Sequence, residues 1–177
     1  MRNTIAVLTL ASTLVAPFCA AVDRLNLSVG RLTRPNAVGF PDTVQVDAGW
    51  NLPWQWFDTD TGVLQTRAEA GVTYNRTHVG PVWSVEAAPI LHYQYKADLK
   101  GCSPFIDGGV GVGALSETRW GTHWNLTTHW QFASRIGAGC RFGTNELSLN
   151  FFHYSNAGLK KPNPGADMVY VRYSFDL

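Results

Sequence analysis

The sequence predicts an all-β protein, an eight-stranded antiparallel transmembrane β-barrel. Three observations carry this. Behind an N-terminal leader, apolar and polar residues alternate with period two almost to the last residue, the pattern of strands with two unlike faces. Several alternating segments run past the roughly 5–6 residues usual in soluble sheets, and suit the ~9–11 residues with which a tilted strand crosses a bilayer. Charged residues recur in mid-segment on the polar faces (Asp47, Arg67, Glu69, Glu86, Arg135 and Arg172), while aromatic residues gather near segment ends, as in interfacial girdles. A soluble lipocalin-like barrel shares the alternation but buries its apolar face. Segment length and the apolar, aromatic C-terminal segment favour the membrane form, with the apolar face outward and the interior charges forming a plug of ion pairs and hydrogen bonds.

The leader comes first. Met1-Arg2-Asn3 is followed by an apolar stretch from Ile5 to Phe18 and by small residues ending at Ala21. This is the layout of a secretory signal peptide, with cleavage after Ala21. The apolar run falls short of the ~20 residues that span a bilayer as a helix, and bulky Phe18 argues against a lipid anchor on Cys19. The expected organisation is a signal peptide at 1–21 and one barrel domain at 22–177. With Arg2 in the leader, 13 basic residues face 13 acidic ones. That balance suggests no broad nucleic-acid-binding face.

Eight segments follow, at 24–34, 43–57, 62–76, 81–96, 102–118, 126–142, 146–156 and 167–177. In the third, Leu64, Thr66, Ala68, Ala70, Val72 and Tyr74 share one face, opposite Gln65, Arg67, Glu69, Gly71, Thr73 and Asn75. In the last, Val169, Val171, Tyr173, Phe175 and Leu177 oppose Met168, Tyr170, Arg172, Ser174 and Asp176. An even strand count puts both termini on the periplasmic side, with short turns at 58–62, 97–101 and 143–145. The loops at 35–42, 118–125 and 156–166 then face outward.

Two cysteines remain in the mature chain, Cys102 and Cys140. If the hairpin of segments five and six is symmetric about Gly121, they stand directly opposite on the outward face near the periplasmic rim. A structural disulfide is expected there, the alternative being two reduced thiols. Gly108 to Gly113 lacks the strand-to-helix context of a phosphate loop. His78, His123 and His129 are irregularly spaced, and no metal or other cofactor is expected.

The seventh segment and the loop after it read His153-Tyr154-Ser155-Asn156-Ala157-Gly158-Leu159, then Pro162-Asn163, then Asp167 at the start of the last segment. This run resembles the PagL family of lipid A 3-O-deacylases. The resemblance implies an outer-membrane serine esterase that removes the 3-hydroxyacyl chain from the 3-position of lipid A. It implies His153 and Ser155 as members of a catalytic triad. The family's third member is a glutamate, and Asp167 occupies its position, a departure. The resemblance also implies an oxyanion role for Asn163, with backbone near Gly158 and Asn156 contributing.

Residue chemistry agrees. A serine hydroxyl needs an adjacent base to become a nucleophile, and a carboxylate orients the imidazole and stabilises its protonated form. His153 and Ser155, two apart on a strand, share a face. If the last two strands pair symmetrically about Lys161, Ser155 stands opposite Asp167 with His153 diagonal to it. Leu147, Leu149 and Phe151 precede His153 and Ser155 on that face, and Asp167 shares its face with Val169, Val171 and Tyr173. The triad is therefore expected on the lipid-facing exterior, level with the outer leaflet that holds lipopolysaccharide. Lys160 and Lys161 are candidate phosphate contacts, or simply a solvated loop. The expected partners are lipid A and outer-membrane lipid, with room left for a homodimer. Two alternatives stand beside this reading: a non-enzymatic structural or adhesive barrel, and a phospholipase or acyltransferase with the same triad.

Overall fold

The computed structural model describes residues 21–177, so the leader lies outside the described residues except for Ala21. The strands are β1 (Arg24–Arg34), β2 (Thr43–Trp56), β3 (Gly62–Thr77), β4 (Gly80–Tyr95), β5 (Ser103–Leu115), β6 (Arg119–Gly121), β7 (Trp124–Asn125), β8 (Trp130–Phe142), β9 (Asn145–Ser155) and β10 (Ala166–Asp176). Eight of them close into a barrel in the order β1-β10-β9-β8-β5-β4-β3-β2, and β6 and β7 form a separate two-stranded sheet. Every neighbouring pair is antiparallel.

The fifth and sixth segments differ from their expected spans, 102–118 and 126–142. β5 ends at Leu115 and β8 starts at Trp130, because the chain leaves the wall to form the β6–β7 hairpin. Trp120 and Leu126 are fully buried there, packed with Leu32, Val82, Leu115, Phe152, Tyr154 and Met168 in one apolar cluster. Burying two large apolar side chains over the mouth of the barrel outweighs two or three more ladder bonds on each strand.

Alternation becomes two unlike surfaces. Outward side chains such as Val29, Val46, Val85, Leu91, Val110 and Ile136 are exposed, whereas inward Asn26, Ser28, Asp47, Arg67, Glu69, Glu86, Arg135 and Arg172 are buried. A charged interior beneath an apolar exterior is stable only where the surroundings are themselves apolar, as hydrocarbon is. Below the apolar cluster the lumen is ionic. Arg172 reaches Asp47 at 2.5 Å and Glu69 at 2.8 Å, and Arg135 meets the same Glu69 at 2.7 Å. Nearer the termini, Glu146 receives Arg24 at 2.7 Å and Arg67 at 3.0 Å. Charges taken out of water must be paired and hydrogen-bonded, and these strands supply both signs at matching heights.

Cys102 and Cys140 are joined by a disulfide with a Cα separation of 5.3 Å. Their register differs from the expected one: Pro104, not Cys102, stands opposite Cys140. The hairpin pivots about residue 122, and beyond it β6 and β7 pair as a separate two-stranded sheet, Arg119 opposite Asn125. The two cysteines are therefore diagonal neighbours. Alkylation of denatured, unreduced protein is expected to label neither cysteine. The double change Cys102→Ser, Cys140→Ser should leave a folded and active barrel, since strand pairing already closes that loop.

Candidate active site

β9 and β10 bring the first two candidate residues together. His153 stands directly opposite Asp167, and the imidazole Nδ1–H donates to Asp167 Oδ1 at 2.5 Å. The expected register, with Ser155 opposite Asp167, is corrected by two residues, and the hairpin pivots about Lys160. Pairing resumes at Ala166 opposite Tyr154, because Gly165 leaves the ladder with φ +69°. A Cβ on Gly165 would lie 2.7 Å from His153 Cε1, so a residue without a side chain is needed where the loop passes the ring. Direct opposition holds cross-strand Cβ atoms ~4.5–5.5 Å apart, which an aspartate spans despite its missing methylene.

Ser155 closes β9 two positions beyond His153 and pairs across to Phe132 of β8. Among the described residues no hydrogen bond joins its hydroxyl to His153; catalytic hydrogen bonds are often long without substrate. The strand beneath is rigidly seated. Phe152 and Tyr154, the inward neighbours of His153, are buried, and the Tyr154 hydroxyl bonds to Ser84 at 2.9 Å and to Glu86. The outward neighbours are apolar and exposed, Leu149 by 60% and Val171 by 51%.

Asn156 organises the loop. It is buried, and its amide donates to the carbonyls of Leu126 (3.1 Å) and Lys160 (3.0 Å) and to Thr127 Oγ1 (3.1 Å). Its Oδ1 accepts from Gly158 N at 2.9 Å. Ala157 and Gly158 have φ of 52° and 79°, and Leu159 N returns to Asn156 O at 3.0 Å. Positive φ at both central residues defines a type I′ turn, which explains the glycine. The N–H of Gly158 and the amide of Asn156 are thus engaged within the loop. Asn163 differs: its Oδ1 accepts from Asn156 N at 3.2 Å, an orientation that keeps the two Nδ2 donors of its amide for another partner. Lys160 and Lys161 are exposed at the loop's tip.

One residue escaped the sequence reading. Arg34 Nε lies 2.9 Å from Asp167 Oδ2, so the carboxylate is held at both oxygens. Alternation along β1 would turn Arg34 inward, and only an irregularity of pairing brings it out. A second feature, the groove, was also beyond a strand-by-strand reading. An apolar trough of about 820 Å³ runs from His153 and Ser134 past Gly108 and Ile136 toward Tyr93 and Leu64. It crosses six strands, β10, β9, β8, β5, β4 and β3.

Comparison with known proteins gives three results. Residues 43–176 match the model of a family described as lipid A 3-O-deacylase (PagL). The lipid A deacylase PagL of Pseudomonas aeruginosa is 35% identical over 138 residues, 76% of this chain and 78% of that protein. That of Bordetella bronchiseptica is 29% identical over 139 residues, 74% of this chain and 75% of that protein. Among solved structures, the crystal structure of the outer membrane enzyme PagL superposes with a TM-score of 0.78 at 32% identity, covering 87% of this chain and 99% of that one.

Proposed function

The chain belongs to the PagL family of lipid A 3-O-deacylases and is an outer-membrane β-barrel; on that premise we propose that it hydrolyses the ester-linked 3-hydroxyacyl chain at the 3-position of lipid A. The observation that carries this reading is the bonded His153–Asp167 pair on a strand face shared with exposed Leu149 and Val171. On that face the groups meet an ester held in the outer leaflet without any pore. The leader at 1–21 is the export signal, and the barrel at 22–177 carries the site on β9 and β10.

Ser155 Oγ attacks the acyl carbonyl while His153 Nε2 takes its proton. Asp167, accepting from Nδ1–H, fixes the tautomer that leaves Nε2 free and stabilises the imidazolium that forms. The carbonyl oxygen becomes an oxyanion, met by the Nδ2 donors of Asn163. His153 returns the proton to the leaving glucosamine oxygen, and a water activated by the same imidazole releases the hydroxy fatty acid from Ser155. Asn156 and Gly158 act on this chemistry by holding the loop that carries Asn163. Lys160 and Lys161, at the loop's tip, are within the headgroup region where phosphates lie.

The apolar groove starts at His153 and takes the hydrocarbon tail of the scissile acyl chain. Ala138 faces outward there between Ile106 of β5 and Leu149 of β9. Ala138→Phe is therefore expected to lower turnover of long-chain substrates by roughly tenfold or more while sparing short-chain esters, since misplacing the reacting atoms by about 1 Å costs up to ~10²-fold. Equal loss on both would separate the groove from chain recognition.

The reading is tested by incubating the purified protein in detergent with lipopolysaccharide and phospholipid together and following both by mass spectrometry. Loss of one ester-linked hydroxyacyl chain from lipid A is expected, with phospholipid intact. Attack on phospholipid alone would replace the substrate, and no change in either would return the chain to a structural role.

A further inference from the structure

We infer that Arg34 is a positioning residue for the triad, holding the carboxylate of Asp167 in the rotamer that serves His153; this rests on the reading of Asp167 as the triad's acid. From Arg24 opposite Asp176 to Leu32 opposite Met168, β1 and β10 pair in unbroken step. The register then shifts, and Arg34 instead of Thr33 stands opposite Asp167. Up to that point even-numbered residues of β1, such as Asn26, Ser28 and Leu32, are buried in the lumen. Continued in step, the strand would set Thr33 against Asp167 and turn Arg34 inward. The bulge adds one residue on β1 alone and re-aims the next side chain, as bulges beside functional sites do.

The outcome is a carboxylate clamped from two strands. His153 on β9 takes Oδ1 at 2.5 Å and Arg34 on β1 takes Oδ2 at 2.9 Å. A carboxylate held at one oxygen still rotates about its last bond and swings out of the plane of the imidazole. Holding the second oxygen removes that freedom. Gly165 adds to the case, since a Cβ there would lie 2.7 Å from His153 Cε1 and 3.4 Å from Arg34 Nη2. Ring and guanidinium thus pack over the same bare backbone. The Arg34 side chain is 45% exposed, and exposed ion pairs contribute little to stability. Its work is therefore sought in turnover.

The test is steady-state kinetics on lipid A in detergent with wild type, Arg34→Met, Arg34→Lys, Asp167→Asn and the Arg34→Met, Asp167→Asn double variant. Folding is read from heat-modifiable migration on gels. Arg34→Met is expected to lower kcat on the order of ten- to a hundredfold with KM nearly unchanged, the pattern of a displaced catalytic group. Arg34→Lys should recover part of the loss. In the Asp167→Asn background the same change should cost less than about threefold, because residues acting through one another are not additive. Should methionine at 34 disturb assembly, Arg34→Gln carries the same comparison. A rise in KM at unchanged kcat, or an equal loss in both backgrounds, overturns the inference and assigns Arg34 to the substrate headgroup. Wild-type kinetics for Arg34→Met overturns it alone. Wild-type activity for Asp167→Asn removes the acid's role, and the inference with it.

Discussion

Cells that express the Ser155→Ala variant are expected to keep lipid A with its full set of acyl chains, whereas wild type removes one hydroxyacyl chain. Ser155 would form the bond to the acyl carbon, and alanine has no atom that can. Loss of the nucleophile or its base in serine hydrolases costs roughly 10⁴–10⁶-fold in turnover, the remainder coming from oxyanion donors and binding. His153→Ala should match it, since the hydroxyl is a poor nucleophile without a base. Asp167→Asn should cost less, about 10²–10⁴-fold, because the imidazole survives and only its tautomer and charge stabilisation are lost. Lipid A mass spectra measure all three. Normal deacylation by Ser155→Ala would remove the serine mechanism while leaving family membership untouched. The barrel itself should assemble in each case, since none of the three is among the buried polar residues that fill its interior.

Glu69→Ala is expected to produce a large loss of stability from a single change. Glu69 Oε2 accepts from Arg135 at 2.7 Å and from Arg172 at 2.8 Å, and all three side chains are buried. Removing the shared carboxylate leaves two guanidinium groups short of a partner in a closed lumen. Breaking a buried pair in this way costs about 3–5 kcal/mol. By contrast, Asp58→Asn, at a pair with Lys96 of 2.7 Å in which the side chains are 67% and 49% exposed, should cost less than about 1 kcal/mol. Urea unfolding of both variants in lipid vesicles, against wild type, gives the comparison. Equal stability of the two would mean that water enters the lumen freely enough to solvate its arginines.

Much of this molecule follows from alternation, which is local. Each residue's place on the inner or outer face depends on its parity along one strand. The lumen charges Asp47, Arg67, Glu69, Glu86, Arg135 and Arg172, the apolar exterior, and the common face of His153 and Ser155 were therefore legible before any fold was known. The His-Tyr-Ser-Asn-Ala-Gly-Leu run pointed to the family that the comparisons show. Register is a different quantity. It depends on how the loops close, and loops close by packing that links distant parts of the chain. The β9–β10 hairpin pivots on residue 160 because Gly165 must clear the His153 ring. The β5–β8 hairpin shifts because β6 and β7 fold Trp120 and Leu126 over the barrel mouth. Those two shifts set His153 against Asp167 and make the cysteines a diagonal pair. Arg34 lay further out of reach, since a single extra residue reverses parity at that end of β1, and nothing in β1 alone announces it. The groove from His153 to Leu64 is assembled from six strands distributed over most of the chain, so its shape exists only once the barrel has closed.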